Sequence, residues 1–181
     1  MSDTSSTSDL SARVKTGFPL AAGIAILLFT PVFVIGLAVM AVAFIGAQEL
    51  TAMLSAKSDN TDTIVILPEW LLPGTAVLMG LGALSGESGL HGTLLICVLG
   101  WIFFELVFTP KSELAKLSSL GFGLFGMVWA VWSVLHITLI KILPEGTALL
   151  FFLLLVISFS DIFAYFGGKR FGKSLLAPSI S

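Results

Sequence analysis

The sequence predicts an all-α, polytopic integral membrane protein with about six transmembrane helices, the first two forming a short hairpin. Three observations carry that expectation. Of the 181 residues, 56% are hydrophobic and only 11% charged, whereas a soluble domain carries roughly 25% charged residues. Mean hydropathy is +1.05, and several apolar runs approach or exceed the roughly 20 residues that span a bilayer core. The lysines and arginines fall between those runs in a pattern that one bilayer orientation explains. The formal net charge of −2 says little, because the placement of charge matters more than its sum, and no nucleic-acid partner is expected.

The chain divides, on this reading, into a disordered cytoplasmic tail over 1–12, a transmembrane helical bundle over 13–168 and a cytoplasmic basic segment over 169–181. The first nine residues are rich in Ser, Thr and Asp with no positive charge, which suits a disordered tail rather than a signal peptide. Thr16 to Gln48 is a 33-residue run without charge, about 50 Å as one helix and too long for a core of about 30 Å. Thr30-Pro31 lies inside it, and proline both removes a helix hydrogen bond and restricts the residue before it. The run therefore splits into a short segment over 17–30 and a longer one over 32–53.

A polar loop, Ser55–Thr63, precedes an apolar segment over 64–84 whose start contains Pro68, Glu69 and Trp70. Trp favours the headgroup level, so that start is interfacial. A short link, Ser85 to His91, leads to a span over 90–108. Lys111, Glu113 and Lys116 mark the next loop, a fifth span covers 118–140, and Lys141, Pro144, Glu145 and Gly146 make a turn before the sixth, over 147–166. With six spans and the N-terminus inside, Arg13, Lys15, Lys57, Lys111, Lys116, Lys169, Arg170 and Lys173 lie on the inner side and only Lys141 outside. Five spans would give at best six against three, so the positive-inside rule selects six, with both termini cytoplasmic in the inner membrane.

Ionisable groups inside such spans need a reason, since each costs roughly 2.5–3.5 kcal/mol at a helix centre. Glu49 and Glu105 are expected to reach water near the cytoplasmic ends of their helices. His136 reads as a neutral histidine bonded to a helix carbonyl or to a partner rather than as a base, and no ligand partner at suitable spacing supports a zinc site. Cys97 reads as a small buried hydrophobe. Asp161 is deeper, and Ser158, Asp161 and Tyr165 fall at i, i+3 and i+7 on one helical face. A polar stripe of this kind is expected to face a bundle interior or a watery cavity. It leads to Lys169, Arg170 and Lys173, bracketed by Gly167-Gly168 and Gly172, glycines that let backbone N–H groups approach an anion. The plainer reading is a structural hydrogen-bond cluster followed by ordinary positive-inside anchors.

Asp161-Ile-Phe-Ala-Tyr-Phe, Gly168-Lys-Arg-Phe-Gly-Lys and Leu176-Ala-Pro-Ser-Ile-Ser181 together resemble the phosphatidate cytidylyltransferases, the CDP-diacylglycerol synthases of bacteria. An Arg-x-x-Thr-Gly-like start at Arg13–Gly17 and the acidic Glu49 fit the same resemblance more weakly. It implies an enzyme joining CTP to phosphatidic acid with release of pyrophosphate, in a lipid bilayer and with Mg²⁺. Asp161, Tyr165, Lys169, Arg170, Lys173, Ser179 and Ser181 are the substrate-site residues that it implies. Phe163 stands where the family often has glycine. The chain stops before a Pro-Lys-Lys-Thr-Trp-Glu-Gly-like segment and a C-terminal signature in which the resemblance places the metal carboxylates. The expectation is therefore an incomplete and inactive fragment covering the N-terminal two-thirds, with catalytic residues and Mg²⁺ ligands outside it, partnered by a second copy or by a separate C-terminal half. A transporter, channel-like or scaffold subunit with Asp161 and His136 along a polar path is the alternative from another class.

Overall fold

The computed structural model describes residues 17, 19, 22–55, 68–108 and 113–172, all helical apart from short connecting turns. The expected tail over 1–12 lies outside the described residues, as do Arg13, Lys15, Lys57, Lys111, Lys173, Ser179 and Ser181. A short helical segment over 22–28 is followed by α1 (Val32–Ser55), α2 (Leu71–Leu84) and α3 (Glu87–Phe108). A long rod comes next, made of α4 (Glu113–Gly126), a π-helical stretch (Met127–Trp132) and α5 (Ser133–Ile142). The last element is α6 (Gly146–Phe171).

The break at Thr30-Pro31 falls where the sequence places it. Leu27 O accepts from the Thr30 amide and, at 2.6 Å, from the Thr30 hydroxyl, so the last turn of the short segment is closed locally before α1 begins. Among the described residues four helices are long and apolar enough to cross a membrane: Val32–Leu54, Glu87–Phe108, Lys116–Ile142 and Gly146–Phe171. The expected span over 64–84 is shorter than anticipated. Its helix starts at Leu71 and has 14 residues, about 21 Å, because Pro68, Glu69 and Trp70 form a turn outside it.

Small residues set the packing order. Gly36 lies against Leu84, and Gly80 against Met40, so α1 and α2 run antiparallel. Gly82 and Gly89 bring the backbones of α2 and α3 into contact around a turn in which Gly86 has φ +95°, a conformation open to glycine at no steric cost. Trp101 of α3 lies flat against Gly123 of α4. The buried core follows these seams: Ile35, Val39 and Ala43 of α1, Leu72, Ala76 and Met79 of α2, Trp101 of α3, and Met127, Val131 and Leu135 of the rod. Close backbone approach through small residues is how helices gain contact in lipid, where apolar burial gives little drive.

Lys141 secures the first segment. Its ammonium donates to Leu28 O at 2.5 Å and to Thr147 Oγ1 at 2.6 Å. Pro31 interrupts the helix just beyond, so this carbonyl takes a side-chain donor instead of the next helical amide. Ile24, Ala25 and Leu28 then border a cleft of about 190 Å³ against Phe151, Leu154, Leu155 and Ser158 of α6. The rest of α6 stands apart from the core, with only 6% of its most apolar window buried.

A methyl group at Gly89 would collide with Gly82 O, whereas Gly92 faces open space. Gly89→Ala should cost about 1–3 kcal/mol through forced helix separation, and Gly92→Ala should change stability by about 0.5 kcal/mol or less. Reversible unfolding in mixed micelles checks the difference.

Candidate functional site

The antiparallel order collects one set of helix ends on one face. The C-termini of α1, α3 and α6 and the N-termini of α2 and α4 share it, because 36 pairs with 84, 82 with 89 and 101 with 123. Glu49, Glu69, Glu105, Lys116, Asp161, Lys169 and Arg170 lie toward this end of the bundle, and Glu87, His91, His136, Lys141 and Glu145 toward the other. Among the described cations, three therefore share the first end and Lys141 alone marks the second.

On α6, a helix turn of 100° per residue keeps Ser158, Asp161 and Tyr165 on one face and adds Lys169 to it, while Arg170 is turned away. The same face, one turn earlier, borders the cleft beneath Ile24, Ala25 and Leu28. Asp161, Tyr165, Lys169 and Arg170 are all exposed in this structure, so the stripe does not face a packed interior formed by the described residues. Tyr165 makes an edge contact with Phe166 at 5.4 Å, and the Arg170 guanidinium lies 5.8 Å from the Phe171 ring.

The helix continues to Phe171, five residues beyond the expected end near 166. Gly167 and Gly168 are helical, and the Gly172 amide donates to Gly168 O at 2.9 Å. Their N–H groups are engaged within the helix, so no backbone cradle for an anion forms at 167–172. Anion attraction at this end depends on the Lys169 and Arg170 side chains, which also oppose the negative end of the helix dipole.

Two polar placements differ from the expectation. Glu105 is fully buried instead of reaching water. It accepts a hydrogen bond from the Ser119 hydroxyl, joining α3 to α4. The signal for this was present in the sequence, since positions 105 and 119 are symmetric about 112 and an antiparallel pairing of α3 with α4 aligns them. His136 bonds to a helix carbonyl as expected, Nδ1 to Trp132 O at 2.8 Å. A second histidine does approach it: the His91 ring is 6.3 Å away and 6.0 Å from Trp132. Among the described residues no three His, Cys, Asp or Glu side chains converge as a metal site. His136 and Asp161 lie toward opposite ends of the bundle, so they do not line one polar path.

Ser119→Ala would leave a buried carboxylate oxygen without its hydroxyl donor. A loss of about 1–3 kcal/mol is expected, against almost none for the exposed Ser160→Ala; thermal unfolding in detergent distinguishes them.

The sequence model of the cytidylyltransferase family matches residues 11–181. A phosphatidate cytidylyltransferase of Chlamydia trachomatis serovar D is 30% identical over 192 residues, an alignment covering 96% of this chain and 61% of the relative. The chain thus spans about three-fifths of the length of that curated relative. No solved structure matches it.

Proposed function

The chain belongs to the cytidylyltransferase family, and from that premise we propose that it forms part of the lipid- and nucleotide-binding wall of a phosphatidate cytidylyltransferase. The observation that carries the reading is the unbroken match over 11–181. That stretch includes Asp161, Tyr165, Lys169, Arg170, Lys173, Ser179 and Ser181, which we assign to substrate binding. The protein is a multi-pass membrane protein, and we place it in the inner membrane with both termini cytoplasmic, following the distribution of Lys and Arg.

In the reaction, an oxygen of the phosphatidate phosphate attacks the α-phosphorus of CTP. The new P–O bond forms as the bond to the β-phosphate bridging oxygen breaks, and pyrophosphate leaves. Two polyanions must approach each other, so neutralising their charge is the main task of the site. Lys169 and Arg170, at the headgroup end of α6, supply positive charge where the lipid phosphate lies. Their aliphatic stems stay along the apolar helix while the heads reach the interface. Tyr165, one turn deeper on the Lys169 face, has a hydroxyl that suits the glycerol or phosphate oxygens. Asp161 sits two turns below Lys169, about 12 Å along the axis, too far to pair with an ammonium at the interface.

The family resemblance implies a divalent metal, which when bound would neutralise phosphate charge and polarise the α-phosphorus. The described residues do not fit it by themselves: Asp161 is one carboxylate on an open helix face, and no three metal-binding side chains converge. No step is assigned to a metal held by these residues.

Phosphatidate retention during purification tests the binding role. Lys169→Ala combined with Arg170→Ala should lower retention about tenfold relative to the parent, the loss expected for charge-assisted phosphate contacts. In membranes that also contain a C-terminal half of the enzyme, Asp161→Asn should lower CTP-dependent formation of CDP-diacylglycerol while leaving phosphatidate retention within about twofold. Equal retention of phosphatidate and phosphatidylcholine by the parent would overturn the reading.

A further inference from the structure

A groove of about 390 Å³ opens on the flank of the bundle between α1 and the π-helical stretch, bordered by Val42, Gly46, Glu49, Met53, Trp129 and Val134. Its volume falls at the lower end of the ~300–1,000 Å³ typical of small-ligand sites. All but one of its bordering residues are apolar or glycine. Val42, Met53 and Trp129 are more than half exposed, on helices long and apolar enough to lie in the bilayer, so the groove opens toward lipid. Gly46 forms part of its floor, and a Cβ built there would meet nothing within 4 Å. The π-helical turn adds an extra residue per turn on the facing wall, a distortion frequent at functional sites.

Glu49 is the exception. Gly46, Glu49 and Met53 follow at i, i+3 and i+7, so the carboxylate lies in line with the groove. It is exposed, and no hydrogen bond or ion pair joins it to another described residue. It lies six residues from the end of α1, about 9 Å along the axis, within reach of the headgroup layer by extension of its side chain. A lone carboxylate at that level repels anionic head groups and attracts a head group with N–H donors.

We propose that this groove binds one phospholipid with a primary ammonium head group, of the phosphatidylethanolamine type. The ammonium bonds to Glu49, and one acyl chain lies along Gly46 and Val42 against Trp129 and Val134. The site is distinct from the α6 face assigned to phosphatidate and does not rest on the proposed transfer reaction. An anionic substrate lipid is disfavoured here by the same carboxylate, so the groove holds a structural or regulatory lipid.

The test is lipid retention by the full chain, reconstituted in nanodiscs of equal parts phosphatidylethanolamine, phosphatidylcholine and phosphatidylglycerol, then released and weighed by native mass spectrometry. The parent should keep phosphatidylethanolamine about fivefold to tenfold over phosphatidylglycerol, with phosphatidylcholine between them because its quaternary ammonium has no N–H to donate. Glu49→Gln, nearly isosteric, should bring the ratio close to one. Gly46→Leu, whose Cβ would meet nothing within 4 Å, should reduce retention of all three, while helix content stays unchanged by circular dichroism. A parent without headgroup preference, or a preference that persists in Glu49→Gln, would overturn the proposal. So would a Glu49→Gln variant that changes oligomeric state but not lipid ratio, since the groove would then be an interface between copies.

Discussion

Hydrocarbon gives a peptide no hydrogen bonds, and most of the structure follows from that constraint. Each backbone polar group within the bilayer must find its partner inside the protein. The short segment over 22–28 shows what happens where a helix is interrupted. Thr30 closes its last turn through Leu27 O, and Lys141 supplies the donor for Leu28 O. A cation that the sequence marks only as a topological outlier is thereby the tie that seats this segment on α6. Glu105 obeys the same rule, taking the Ser119 hydroxyl across the α3–α4 seam near the end of α3.

Because apolar burial contributes little between helices in lipid, close approach depends on what is missing from the side chains. Gly36, Gly80, Gly82, Gly89 and Gly123 each receive a neighbouring side chain or backbone that a larger residue would displace. These contacts fix the antiparallel order, and the order in turn brings Glu49, Glu69, Glu105, Lys116, Asp161, Lys169 and Arg170 toward one face. The substrate-binding reading of α6 depends on that sorting as well as on the motif it carries. The phosphate-directed cations must share an end with the headgroups they meet, and their aliphatic stems let them do so from an apolar helix.

The bundle leaves two lipid-facing regions of different character. One is α6, an apolar rod whose polar stripe ends in cations. The other is the groove beside Glu49, apolar with a single negative end. Their opposite charges suit them to opposite head groups, so the two proposed lipid sites would not compete.

The sequence by itself determined the class of protein, the break at Thr30-Pro31, the helical alignment of Ser158, Asp161 and Tyr165, and the family, since each depends on composition, local backbone chemistry or motif order. His136 could also be read as bonded to a helix carbonyl, because a histidine in an apolar helix has few other acceptors. Tertiary structure alone decided that His91 meets His136 and that Lys141 reaches Leu28, 113 residues away in sequence. It also decided that Gly167 and Gly168 continue a helix instead of opening a loop. Helix termini are weakly marked in lipid, where glycine is tolerated within helices, so the sequence cue for a loop carried less than it would in water. Pairings between helices depend on which faces meet, and in an apolar chain with few polar residues that choice rests on glycine positions whose partners become visible only once the helices are packed.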